Sequence, residues 1–168
     1  MKVGTRSLLI GVHQFIWHPI TVYMAWKWLY GRPSFKELIC IIIHDWGYWG
    51  SPDMDGKVGS NHPEKAALMA NKWFGCEYFY LCLYHSRNYA KRHLVKPSKL
   101  CYADKLSIMY ELKWFYLLRA KLSGELKLYR YESADLGQLS LEKSDEEWFD
   151  WIQPWYAEIG ARQKEECF

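Results

Sequence analysis

Six histidines, at positions 13, 18, 44, 62, 85 and 93, are the side chains of this sequence best suited to chemistry, and His44 is followed directly by Asp45. Imidazole and carboxylate together suit Zn, Fe, Mn or Co, rather than Ca or Mg alone. An adjacent His-Asp pair at a helix end can bind a metal as one unit, and its carboxylate carries two oxygens with which to bridge two ions. A lone histidine in a helical bundle is more often packed or solvated than a ligand. His13 and His93, which have no motif around them, are read in that way.

Positioning such residues falls to helices, because the sequence reads as all-α. Leu8, Leu9, Val12, Phe15 and Ile16 recur at helical spacing and predict a helix over about 5–16. His18-Pro19 restarts the chain, and Val22, Ala25, Trp26 and Leu29 mark the face of a second helix that ends at Gly31-Arg32-Pro33. Ser34 with Glu37 forms a capping box for a third, which runs through Ile41-Ile42-Ile43 into His44-Asp45. Residues 47–61 are rich in Gly, Pro, Asp and Ser and predict one long loop. Asn61 is read as the cap of a fourth helix that has Pro63 in its first turn and stops at Gly75. A fifth is predicted over about 77–88 and a sixth, opened by Pro97, to about residue 122. Residues 125–143 read as polar and irregular, and Ser144-Asp145-Glu146-Glu147 opens an acidic-first terminal helix. On this reading His18, His44, Asp45, His62 and His85 fall near helix ends and Asp104 lies within a helix, so a compact bundle can bring them together.

A chain of 168 residues fits one domain with a sizeable core. Half the residues are hydrophobic and 18% are aromatic, which predicts a bulky core or an aromatic-lined pocket. The formal charge of +3 suits a small anion and falls short of a nucleic-acid-binding signature. Cys40, Cys76, Cys82, Cys101 and Cys167 form no CxxC pair and read as reduced, mostly buried thiols. No run reads as a bilayer span, and no small-residue cleavage site follows the apolar start, so the expected setting is cytoplasmic without a membrane partner.

His18-Pro19-Ile20-Thr21-Val22 with Ala25 and Leu29 resembles the opening helix of the HD-domain superfamily. Ile41-Ile42-Ile43-His44-Asp45-Trp46-Gly47 is similar to its apolar-run-then-HD segment, and Tyr102-Ala103-Asp104-Lys105-Leu106 to its closing segment. His62-Pro63-Glu64-Lys65-Ala66-Ala67 and Leu83-Tyr84-His85 resemble the two extra histidine segments of members with a second metal. The resemblance covers about residues 13–110 and leaves 111–168 as a C-terminal helical extension. It implies a single HD-type bundle in which His18, His44, Asp45 and Asp104 bind a first divalent ion. His62 and His85 then bind a second, with Asp45 as the bridge. The implied cofactor is one or two ions of Mn, Fe, Co, Ni, Zn or Mg, and the implied activity is hydrolysis of a phosphate ester, such as a small nucleotide, by metal-activated water. The sequence departs from the superfamily's cyclic-dinucleotide phosphodiesterases, reading Tyr84-His85-Ser86-Arg87-Asn88-Tyr89 where they carry a paired histidine and a Gly-Tyr-Pro motif.

Around that centre, Arg87, Lys91 and Arg92 either bind phosphate or form a solvated basic surface. Lys105 either steadies a leaving group or pairs with Asp104. Trp46, Tyr48 and Trp49 either stack on a substrate or pack the loop, and Asp53, Asp55, Lys57 or Glu64 could supply a general acid. Trp148, Trp151, Trp155 and Tyr156 share one helical face, which predicts core packing or a contact between copies in a homo-oligomer. Two other readings share the ligand order. One is a mixed-valent di-iron oxygenase of the same superfamily; the other is a domain that binds a nucleotide without turnover.

Overall fold

The computed structural model describes residues 2–54 and 56–166; Asp55 and Cys167 lie outside the described residues. The architecture is all-α, and no strand occurs among the described residues. The first five helices are α1 (Val3–Ile10), α2 (Trp17–Tyr30), α3 (Phe35–Ile43), α4 (Pro63–Phe74) and α5 (Cys76–Leu83). They are followed by α6 (Arg87–Arg92), α7 (Lys99–Leu106), α8 (Lys113–Ser123), α9 (Glu125–Asp135) and α10 (Asp145–Glu166). Short 3-10 turns occupy Trp46–Tyr48, Gly59–Asn61 and Ser107–Tyr110.

Local chemistry explains several boundaries. The Ser34 side chain accepts from Glu37 N while the Glu37 carboxylate accepts from Ser34 N, so α3 starts on the expected capping box. Ser144 and Glu147 repeat the device at α10. Pro63 takes the first turn of α4 and Gly75 ends it, although His62, not Asn61, is the N-cap. Asn61 sits in a 3-10 turn, where its side chain accepts from Arg92.

Elsewhere tertiary bonds override the sequence pattern. The first helix stops at Ile10 rather than about 16, because the buried Glu125 carboxylate accepts Val12 N at 2.9 Å and draws the chain off the helix. The predicted fifth helix breaks after Leu83, and Ser86 caps a new one by accepting from Tyr89 N. The long sixth helix divides into α7, a 3-10 turn and α8. At that break Glu111 is held by Trp17 Nε1 and Arg119, and Gln153 donates to Ile108 O. Residues 125–135 are helical rather than irregular, since Leu126 and Ser133 bury one face.

Two cores result. Val22, Ala25, Trp26, Ile41, Ala66 and Leu100 anchor the one shared by α2, α3, α4, α5 and α7. Tyr116, Leu117, Leu126, Trp148 and Phe149 anchor the one among α8, α9 and α10. Cys40, Cys82 and Cys101 are buried and Cys76 is exposed. No helix of the described residues is long and apolar enough to cross a membrane.

Candidate metal centre

The six side chains that the sequence points to meet at one place. His18 comes from the first turn of α2, His44 and Asp45 from the end of α3, and His62 from the cap of α4. His85 lies in the break between α5 and α6, and Asp104 in α7. His18, His44, Asp45, His62 and His85 are buried, and the Asp104 side chain is 12% exposed.

Asp45 sits at the middle with its two oxygens facing different partners. Oδ2 lies 3.2 Å from His18 Nε2 and 3.1 Å from His44 Nε2. Oδ1 lies 3.4 Å from His85 Nε2 and 3.7 Å from His62 Nε2. Asp104 Oδ1 is 3.2 Å from His18 Nε2 and 4.0 Å from His44 Nε2. Ligand atoms about 2.1 Å from a shared ion are about 3.0 Å apart at a right angle and about 3.4 Å apart at a tetrahedral angle. Four of the spacings, from 3.1 to 3.4 Å, match what a common ion imposes, while those of 3.7 and 4.0 Å are wider. His18, His44 and Asp104 form one group able to hold an ion, and His44, Asp45 and His85 a second.

The imidazoles are oriented for this role. The Nδ1–H groups of His44, His62 and His85 each donate to the carbonyl three residues earlier: Ile41 O at 2.7 Å, Gly59 O at 2.7 Å and Cys82 O at 2.6 Å. That fixes the tautomer and leaves the Nε2 lone pair pointing inward, the usual arrangement behind a metal-bound histidine. His62 and His85 then face each other through Nε2 atoms 3.0 Å apart, where two lone pairs repel unless a cation or proton lies between them. His18 Nε2, His44 Nε2 and Asp45 Oδ2 are buried, and their near neighbours are not aligned as hydrogen-bond partners. Orphaned buried polar atoms are costly, and a cation would satisfy all three. The donor set therefore fits a divalent ion.

The electrostatics agree. Burial opposes charging His18, yet Asp104 and Asp45 together push its pKa up to about 10. Burial likewise works against the Asp45 carboxylate, but His44 and then His13 hold its pKa well below the usual range. Asp104 is held low against burial, chiefly by Lys105. Burial and then the neighbouring His85 depress the pKa of His62, keeping it neutral and a donor of its lone pair. The carboxylates thus stay ionised and create a field that attracts cations.

One glycine makes this packing possible. A Cβ on Gly47 would lie 1.8 Å from His62 O, so only glycine lets the turn after Asp45 run against the backbone that carries His62. Tyr48 then stacks on the His62 ring, with centroids 4.0 Å apart and planes 18° apart.

A cavity of about 230 Å³ reaches the cluster, lined in part by Tyr48, Arg87, Lys105, Trp155 and Tyr156. Lys105 Nζ is 3.1 Å from Asp104 Oδ2, the pairing that the sequence allowed for, and it also lines the cavity. Arg87 lies over the rings of Trp155 and Tyr156, at 5.5 and 5.7 Å from their centroids. Lys91 and Arg92 are not brought there; both are exposed, and Arg92 donates to Ser60 O and Asn61 Oδ1. Trp46 packs against the larger core instead of lining the cavity, and half-exposed Trp49 stacks on Phe15. Asp53 accepts Gly59 N and Glu64 accepts the Tyr89 hydroxyl, and neither of them nor Lys57 lines the cavity.

Sequence reasoning passed over three cavity residues. His13 lines it with Nδ1 bonded to Glu125 Oε1 at 3.0 Å; burial opposes its charging, but the field of Asp45 and then Glu125 raise its pKa. Trp155 and Tyr156, whose helical spacing predicts core packing or a contact between copies, pack against the second core and line the cavity as well. Only the long-range partners of these residues reveal their place. Comparison with protein-family models, with curated proteins and with solved structures finds no match to this chain. The class defined by fold and site is an all-α protein with a buried His/Asp cluster that could hold a metal ion.

Proposed function

We propose that the chain is an HD-type, metal-dependent phosphohydrolase acting on a small phosphate ester, such as a nucleotide. The observation that carries this reading is the division of Asp45 between two histidine sets, His18 and His44 on Oδ2 and His62 and His85 on Oδ1. That is the geometry expected of a carboxylate shared by two ions, and it agrees with the ligand order of the superfamily that the sequence resembles. The two sets would hold one ion each, and the mixed N/O donors favour Mn, Fe, Co, Ni or Zn over Mg. A divalent ion held there supplies a Lewis acid and lowers the pKa of a bound water.

The chain's own residues do the rest. Asp45 and Asp104, ionised despite burial, supply negative charge for a cation, while carbonyl bonds at Nδ1 aim His44, His62 and His85 inward. Arg87 and Lys105 present positive charge to the cavity beside Asp104, where they can hold the non-reacting oxygens of a phosphate group. The rings of Trp155 and Tyr156 lie against Arg87, and Tyr156 also against Lys105, which helps to position both cations. The test is elemental analysis of purified protein joined to a phosphate-release screen with added Mn, Co or Ni. Turnover that requires the metal and is lost in Asp45→Asn, with the helical spectrum intact, is the expected result. Turnover of a metal-free preparation would refute the proposal, and two irons with turnover only in oxygen would move the chain to the oxygenase class.

A further inference from the structure

Helix α2 exposes an apolar row that the bundle does not use. Of its fourteen residues only Lys27 carries a fixed charge. Ile16, one residue before the helix, and Ile20 and Met24 within it stand at i, i+4 and i+8. Helix α8 carries a second row of the same spacing, Trp114, Leu118 and Leu122. These six side chains are between 42% and 68% exposed. The rows join, because Trp17 touches Phe115 (centroids 5.7 Å apart) and Phe115 touches Trp114 (5.4 Å). The turn Ser107–Tyr110, which packs along α2, leaves Met109 half-exposed next to that helix.

We propose that this face is where a second copy of the chain docks, giving a two-fold symmetric dimer. Rows at i±4 are the ridges by which one helix packs into the grooves of another, at about −50° in the commonest class. A two-fold axis sets the same ridges of both copies against each other. The area is sufficient: seven side chains, each offering on the order of 90 Å², give about 600 Å² per copy, and a stable interface with its polar rim buries about 800 Å² per partner. Charge points the same way. The lysines that flank the α8 row are matched within the chain, Lys113 by Asp150 at 2.8 Å and Lys121 by Asp145 at 3.8 Å. The α8 rows of two copies therefore meet without repulsion between their flanking lysines. A helix that lies on an anionic bilayer instead carries an excess of Lys and Arg along its polar edges, and α2 has only Lys27.

Sedimentation equilibrium of the full chain tests this, with Met24→Glu and Trp114→Glu as interface variants and Leu68→Glu, on exposed α4 surface, as the control. Wild type and the control are expected to dimerise at micromolar concentration, and each interface variant to weaken the dimer by at least about 10-fold. Circular dichroism and metal content are expected to stay unchanged. A wild-type chain that remains monomeric at hundreds of micromolar overturns the proposal. So does a dimer that neither interface variant weakens, or a monomer that loses binding to phosphatidylcholine–phosphatidylglycerol vesicles in the same two variants.

Discussion

Replacing Gly47 by alanine tests the link between the loop after Asp45 and the metal centre. The new methyl group would start 1.8 Å from His62 O, and a real Cβ essentially never lies closer than 3.0 Å to a neighbour. The two backbones must therefore separate by at least about 1.2 Å. The obstacle is a carbonyl, not the end of a flexible side chain, so no rotamer change relieves it. His62 Nε2 now lies 3.0 Å from His85 Nε2 and 3.7 Å from Asp45 Oδ1. Metal–ligand distances tolerate only about 0.2 Å of error, so a displacement of this size removes His62, or Asp45, from a shared ion. The expected outcome is a 10- to 100-fold loss of Mn affinity, typical of disturbing the support of a ligand. A loss of about 1–3 kcal/mol in stability from overpacking accompanies it. Isothermal titration with Mn and urea unfolding of the metal-free protein measure the two effects separately. Wild-type affinity in Gly47→Ala would refute the role given to this glycine, whatever the change in stability.

The buried Glu125 carboxylate gives a pH-dependent prediction. Burial would raise its pKa, but bonds from His13, Ser123 and Ser7 hold it down to about 2, against 4.5 unfolded. Because the folded value is the lower one, its contribution of about 3 kcal/mol is present above pH 4.5 and lost as pH falls towards 2. Urea unfolding between pH 7 and 2 should show that loss in wild type and not in Glu125→Gln; parallel pH curves would count against it. For the phosphate-holding role, Arg87→Ala should lower kcat/KM for phosphate release by about 10- to 100-fold, as expected for a hydrogen bond to a charged group. Exposed Lys91→Ala should change it less than about two-fold, and equal effects in steady-state assays would return Arg87 to a packing role.

What the sequence made legible was the local chemistry. Ser34 with Glu37, Pro63 with Gly75, and the acidic start of α10 all act within a few residues of themselves, and the structure uses each as expected. The six His and Asp residues were legible because each carries its own short motif. Hidden from the sequence were contacts made far along the chain. Nothing near Gly11 reports that a glutamate 113 residues beyond Val12 will accept its amide and end α1 early. The same carboxylate places His13 on the cavity wall, where a lone histidine reads as filler. Glu111 divides a helix whose pattern is otherwise continuous, because Trp17 and Arg119 claim its side chain. Trp155 and Tyr156 pack against the second core as their spacing predicts, but spacing does not report that they also line the cavity: an aromatic row at helical spacing looks the same whether it faces a core or a cavity.

The cavity's own charges bear on what it can bind. Four carboxylates line it, Asp45, Asp104, Glu111 and Glu132, together with Arg87, Lys105 and two histidines whose pKa values are raised, His13 and His18. Arg119 balances Glu111 from behind through a short buried ion pair. Asp45 and Asp104 hold their charge against burial, and His18, its pKa pushed up to about 10, carries a proton that offsets one of them while no ion is bound. A divalent ion must displace that proton to reach His18 Nε2, and the exchange still makes the lining more positive. A second ion would add to that, and each gain favours a phosphate dianion. Under the hydrolase reading, affinity for an anionic substrate and affinity for metal are therefore one property.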